Sequence, residues 1–208
     1  MKIRILYEDK DILAIEKPPG VLVDSIKEKY PKFILAHRLD RETSGVLLLA
    51  KNETSYEFLK AQFKDRTIKK VYHAIVNGHP RVDKGVINKP IGRSPRDFRR
   101  HLSGRGARGE LREAITEFKV LKRYEEGKNK FSFLEIKPKT GRTHQIRVHM
   151  KFANYPVACD SLYNPDGVCP KDINRVALHA SSIEFKNTKG ETIKTEAPLP
   201  GEFQKFKK

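Results

Sequence analysis

The stretch His37-Arg38-Leu39-Asp40-Arg41-Glu42-Thr43-Ser44-Gly45 sets one carboxylate between two guanidinium groups, at −2 and +1, just before the apolar run GVLLLAK at 45–51. Two cations at that spacing favour the ionised form of Asp40 at neutral pH. An anion so held suits a nucleophile or an electrostatic stabiliser and is poorly suited to giving up a proton. The same residues can equally form a structural salt bridge tying Asp40 to Arg38 or Arg41. Local chemistry alone does not choose between these readings.

Other residue types with chemical potential carry weaker patterns. The seven histidines include His144 and His149, five apart, a spacing that shares no face in a helix or a strand. With no H-x-x-x-H or C-x-x-C pair, no metal site is expected. Gly104-Arg105-Gly106-Ala107-Arg108-Gly109 spells G-x-G-x-x-G. A dinucleotide site needs a buried strand before such a turn and a helix after it. RDFRRHLS precedes this one, so no nucleotide cofactor is expected. Cys159 and Cys169 are too few for a disulfide framework and are expected to be reduced.

Residues 88–109 hold seven Lys/Arg against one acidic residue, with four glycines and Phe98 among the arginines. The segment is expected to be an exposed, mobile basic loop that contacts phosphates, with Arg99, Arg100, Arg105 and Arg108 as its binding residues. The whole chain has 43 Lys+Arg against 26 Asp+Glu, a net charge of +17, which makes a polyanion the leading partner. Its hydrophobic content of 38% is too high for a disordered basic tail, while 33% charged residues are too many for a membrane protein. The N-terminal apolar stretch is broken by Glu8, Asp9, Lys10 and Asp11, so no signal peptide is read there. A soluble, cytoplasmic protein is expected.

The elements that must position these residues follow from periodicity. Residues 3–7 and 11–15 alternate as two short strands, and Lys17-Pro18-Pro19-Gly20 stops the second. GVLLLAK reads as a buried strand, and Asn52 caps a helix to about Arg66 whose stripe includes Phe58, Leu59, Gln62 and Phe63. Strands follow at 68–78 and within REAITEFKVLKRYEE, KFSFLEIKP and RVALHASSIEFK. If 143–153 is helical, Ile146, Met150 and Ala153 face the core while His144 and Arg147 share another face. The chain closes on a basic tail, FQKFKK. No repeat or composition break divides it, so the pattern is a single α+β domain over residues 1–208 with a mixed, mostly antiparallel central sheet flanked by helices and loops.

Taken together, HRLDRETSG resembles the signature of the RluA-type RNA pseudouridine synthases, H-R-L-D-x-x-T-S-G. EKPPGVLV at 16–23, KKVYHAIVNG at 69–78, KPKTGRTHQIRVHM at 137–150 and, more weakly, ALHASSIEF at 177–185 resemble the family's other motifs in the expected order. The resemblance spans nearly the whole chain. Departures fall at Glu16, where the family has asparagine, at Asp24-Ser25, at Asn154, and at Cys159 before Asp160, where it has G-D. The chain is read as starting directly at the catalytic domain, without the S4-like RNA-binding module of many relatives.

The resemblance implies isomerisation of a uridine in folded ribosomal or transfer RNA to pseudouridine, by a monomer that needs no cofactor. Asp40 is the implied catalytic carboxylate, attacking C1′ or taking a proton from C2′ to give a glycal. Tyr72 is the implied active-site tyrosine, with core packing as its bland alternative. Arg147 is the arginine that pairs with the aspartate, Arg38 the residue that enters the space of the flipped nucleotide, and Leu178 a lining residue of the uracil pocket. His37 is read as shaping its loop. Two rivals stand beside this reading. One is a non-catalytic RNA-binding or ribosome-assembly protein on the same fold. The other is a metal-independent RNA-cleaving enzyme that uses His37, His144 or His149.

Overall fold

A computed structural model of the chain describes residues 3–104 and 106–207. Its first half contains β1 (Arg4–Glu8), β2 (Ile12–Lys17), α1 (Val23–Lys29), β3 (Ile34–Leu35), β4 (Ser44–Ala50), α2 (Glu53–Lys64), β5 (Lys69–Asn77), β6 (Lys84–Asn88) and β7 (Ile91–Arg93). There follow β8 (His101–Ser103), β9 (Arg108–Arg112), β10 (Ile115–Glu126), β11 (Asn129–Pro138), α3 (Gln145–Phe152), β12 (Leu178–Lys186), β13 (Thr192–Glu196) and α4 (Gly201–Lys207). The chain divides into two compact units, residues 1–71 with 179–199, and 72–178 with 200–208.

The first unit is built on β4, all seven of whose residues are buried. The run SGVLLLA can be apolar throughout because the strand is covered on both faces. Each fully buried Val or Leu there contributes about 1.5–3 kcal/mol relative to exposure. On one side β4 pairs antiparallel with β2 from Ile12↔Ala50 to Lys17↔Gly45, and β1 pairs beyond β2. Its start pairs in parallel with β12, through Ser44↔His179 and Ala180↔Gly45. The α2 helix begins at an Asn52 cap whose side chain accepts from the Ser55 backbone N–H at 2.8 Å. Leu59 of α2 joins Ile12, Val46, Leu48, Ile183 and Phe185 in one apolar cluster.

The second unit carries an antiparallel ladder, β11 pairing with β5 on one side and with β10 on the other, and β10 pairing with β6. Against this stand α3, with six of its eight residues buried, and α4, which packs Phe206 on Tyr124 with ring centres 5.0 Å apart. Together the elements give the expected α+β class with mixed pairing. Among the described residues no helix is long and apolar enough to cross a membrane.

Two expectations change, and the basic tail takes a form that the sequence reading left open. Among its described residues the segment 88–109 is not a loop throughout: β7 pairs antiparallel with both β8 and β9, a second, three-stranded sheet. The terminal FQKFKK is largely helical because Phe203 and Phe206, three apart, both bury one face of α4. Cys159 and Cys169, expected to be reduced, are joined as a disulfide with Cα atoms 5.0 Å apart.

Candidate active site

Asp40 lies in the connection between β3 and β4, half-buried, with Arg38 exposed and Leu39 buried between them. A tight turn starts at Asp40, whose carbonyl accepts the Thr43 N–H at 3.1 Å. Both ends of the connection are fixed. At the first, His37 Nε2 accepts the Leu48 N–H at 3.1 Å, and its ring sits 5.0 Å from that of Phe63. Burial, reinforced by the Lys70 ammonium, pushes the His37 pKa from 6.5 down to about 3, so this imidazole is neutral. At the second, the Ser44 hydroxyl meets His179 Nδ1 at 2.8 Å, with both residues buried.

Gly45 has φ +117°, and a Cβ there would stand 2.1 Å from the Ala180 carbonyl oxygen. No side chain fits in this parallel pairing, which is the physical content of the glycine in T-S-G.

A further tether comes from a residue that composition alone assigns to the surface. Lys17 is fully buried, and its ammonium donates to the carbonyls of Pro18 (2.9 Å), Val21 (2.9 Å) and Arg41 (3.0 Å). Arg41 Nε in turn donates to the Gly20 carbonyl at 3.2 Å and faces Glu42 at 3.5 Å. The Pro18-Pro19-Gly20 turn and the Asp40 connection are thereby held together.

Tyr72, Arg147 and Leu178 belong to the second unit. Tyr72 is half-buried on β5, opposite Ile136 of β11. Leu178 opens β12, 3% exposed. Arg147 projects from α3, 7% exposed, and donates through Nε (2.6 Å) and Nη2 (2.8 Å) to the two oxygens of Asp160. Asp160 is fully buried, and its Oδ1 also accepts the Leu162 and Tyr163 N–H groups at 3.1 Å. A bidentate pair of this kind fixes the guanidinium plane. Of the stretch 143–153, weighed as a helix, Gln145–Phe152 is helical, with His144 as its N-cap at φ 54°. His144 and Arg147 both meet Tyr163: His144 Nδ1 lies 3.0 Å from its hydroxyl, and the Arg147 guanidinium lies over its ring at 5.0 Å.

The other polar residues of T-G-R-T-H-Q-I-R-V-H hold the backbone. Gln145 bonds Thr140, the Arg142 N–H, the Ile115 carbonyl and Thr116. His149 is fully buried, with Nδ1 on the Thr116 hydroxyl (2.8 Å) and Nε2 on the Lys89 carbonyl (2.9 Å). Burial lowers its pKa.

The four arginines expected to bind phosphate differ from one another. Arg99 is paired bidentately with Asp97, at 3.0 and 2.8 Å. Arg100 is half-buried with its guanidinium over the Tyr163 ring at 5.6 Å. Arg108 opens β9 and is exposed, and Arg105 lies outside the described residues. Sequence reasoning missed Lys17, Tyr163 and the pairing of Asp160 with Arg147. The Asp after Cys159 was a usable signal for the last of these.

The family model described as RNA pseudouridylate synthase matches residues 11–152. The chain is 35% identical over 222 residues to a Bacillus subtilis protein named Uncharacterized RNA pseudouridine synthase YlyB, covering 96% of this chain and 70% of that one. It is 34% identical over 230 residues to Ribosomal large subunit pseudouridine synthase D of Neisseria meningitidis serogroup B, covering 97% of this chain and 59% of that one. Among solved structures, Human RNA Pseudouridylate Synthase Domain Containing 1 superimposes with a TM-score of 0.85 at 28% identity, over 96% of this chain and 84% of that chain.

Proposed function

The chain belongs to the RNA pseudouridylate synthase family, and from that premise we propose that it isomerises a uridine of structured RNA to pseudouridine, with Asp40 as the catalytic carboxylate. The observation that carries this reading is the Asp40 connection itself. A half-buried carboxylate is presented beside an exposed Arg38 by a backbone fixed at His37, Arg41, Ser44 and Gly45. Such rigidity matters because a carboxylate acting at one sugar carbon must be placed within a fraction of an ångström.

In the proposed reaction N1–C1′ breaks and C5–C1′ forms, C5 loses a proton and N1 gains one. Atoms and oxidation state balance without a co-reactant. Asp40 acts at the ribose, where positive charge develops as the glycosidic bond weakens. Arg38, exposed and planar, fills the stack left by the flipped nucleotide, offsetting part of an unstacking cost of a few kcal/mol. Tyr72 stacks on the uracil and assists removal of the C5 proton, Leu178 lines the apolar side of the base, and Arg147, held by Asp160, supplies a fixed positive charge. The RNA is proposed to be large-subunit ribosomal RNA, since four of the relatives are named ribosomal large subunit pseudouridine synthases. The exposed cations of the small sheet, Arg108 among them, hold its phosphates.

The RNA-cleaving alternative is disfavoured by the histidines. His37 and His149 have ring nitrogens engaged with backbone or a buried hydroxyl, and burial lowers both pKa values. The test incubates the protein with unmodified large-subunit ribosomal RNA transcript and maps pseudouridine at nucleotide resolution. Conversion without chain scission, lost in Asp40→Asn and Asp40→Ala while RNA binding persists, is expected. Tight binding with no conversion by the wild type would overturn the synthase reading.

A further inference from the structure

Phe98 is 89% exposed, more than any other large apolar side chain among the described residues. A lone exposed phenylalanine on a flexible loop would mean little. Here the connection between β7 and β8 is closed on itself. The Ser94 N–H donates to the Arg100 carbonyl (2.9 Å) and the Arg100 N–H to the Asp97 carbonyl (3.0 Å). The Ser94 hydroxyl oxygen accepts the N–H groups of Arg96 and Asp97, both at 3.3 Å. Asp97 accepts the Arg99 N–H and clamps its guanidinium, and the arginine holds the carboxyl down to about pH 2. The side chains of Ser94, Asp97 and Arg99 are used to hold the shape of this turn, and the ring is what the shape presents.

A second, independent observation lies where this turn joins the small sheet, on the neighbouring strand β9. Arg93 of β7 is directly paired with Arg108 of β9, and both are exposed. Like charges on directly opposed residues destabilise a sheet. A phosphate between them would turn that repulsion into attraction. Exposed Arg96 adds a third cation within the turn, and among the described residues none of the three enters an ion pair. A protein partner for the same tip would need an apolar patch of several hundred Å2, and a single ring among arginines does not make one.

Resting on the RNA-modifying reading above, we infer that the β7–β8 hairpin is a nucleic-acid platform: Phe98 stacks on an unpaired base, and the Arg93/Arg108 pair grips a phosphate of the same strand. This assigns stacking to a residue outside the reaction's machinery. It also moves the phosphate contact from the internally committed Arg99 and Arg100 to the cross-strand pair.

The chain contains no tryptophan, so Phe98→Trp places a unique fluorophore at the tip. Single-stranded oligouridylate and the ribosomal RNA transcript are each expected to quench it, and a blunt RNA duplex is not. Phe98→Ala is expected to weaken binding of the transcript about 5- to 150-fold without changing the slope of affinity against salt. Arg93→Gln and Arg108→Gln should each reduce that slope by about one. Unchanged affinity in Phe98→Ala together with no quenching overturns the inference. So does equal quenching by the duplex, or quenching by an acidic protein and not by RNA. Because these are binding measurements, quenching by RNA without any pseudouridine formed would uphold the platform while rejecting the synthase. Normal conversion by an unquenched, unweakened Phe98 variant would do the reverse.

Discussion

Lys17 Nζ and the carbonyl oxygen of Arg41 stand 3.0 Å apart across 24 residues of sequence. The ammonium also donates to the carbonyls of Pro18 and Val21, so one buried cation ties the proline turn to the backbone beside Asp40. Lys17→Met keeps the length and removes the donor. Hydrogen bonds to charged groups contribute roughly 1.5–3 kcal/mol each, and carbonyls left without a donor cost more. A loss of about 3 kcal/mol or more in urea unfolding is expected. The turnover rate of the folded fraction should fall more than RNA affinity does.

Asp160→Asn keeps the shape of the side chain that holds Arg147 and removes its charge. Breaking a buried pair from one side costs about 3–5 kcal/mol because the partner charge is left in place. Denaturant titration reads that loss. Single-turnover conversion at permissive temperature should show a lower rate with little change in binding. An unaltered rate would mean that the orientation of Arg147 does not matter to the reaction.

Gly45→Ala sets a methyl group against the Ala180 backbone at 2.1 Å, in a conformation (φ +117°) that side chains avoid. The parallel pairing of β4 with β12 must open to admit it. A fall in Tm of ten degrees or more, about 3 kcal/mol for a chain of this size, is expected. Ala180→Gly should not rescue it, because the collision is with backbone atoms.

His37 links stability to pH. Its pKa is depressed from 6.5 to about 3 in the folded protein, so the unfolded chain binds the extra proton between those values. The contribution is fully present above pH 6.5 and is lost as pH falls toward 3. Lys70, whose pKa burial lowers to about 8, is already charged across that window. His149 and His73, also lowered, give slopes of the same sign. His37→Gln retains an acceptor for the Leu48 N–H and cannot titrate. The difference in unfolding free energy between wild type and this variant should therefore shrink from pH 7 to pH 4, and a constant difference would contradict the assignment.

The strands and helices legible in the sequence are those long enough to show a period, among them β4, α2 and β11. Residues 88–109 misled because β7 and β8 have three residues each, too few for alternation, and because arginines and glycines read as loop. The motif residues were legible as a set, but their tasks were not. His149, Gln145 and Ser44 carry the same polar chemistry as a catalytic group, and only their burial and partners show that they hold the backbone. Lys17 was invisible for the opposite reason: lysine belongs by type to the surface, and nothing local says that three carbonyls will enclose it. Tyr163 engages the backbone of His101 and the guanidinium groups of Arg100 and Arg147 from 16 to 63 residues away in sequence, a distance no periodicity reaches.

The hydroxyl of Ser44 finds its partner 135 residues later, at His179. During synthesis on the ribosome, β4 and the Asp40 connection therefore emerge long before the strand that secures them. At about 5–20 residues per second that interval lasts some seconds, ample for local helices and hairpins to form. A nascent chain halted anywhere in it would carry Asp40 on an unfinished sheet edge. The fixed setting of Asp40 is thus completed late, and a truncated product from an interrupted message is expected to lack the proposed activity and to be exposed to proteolysis.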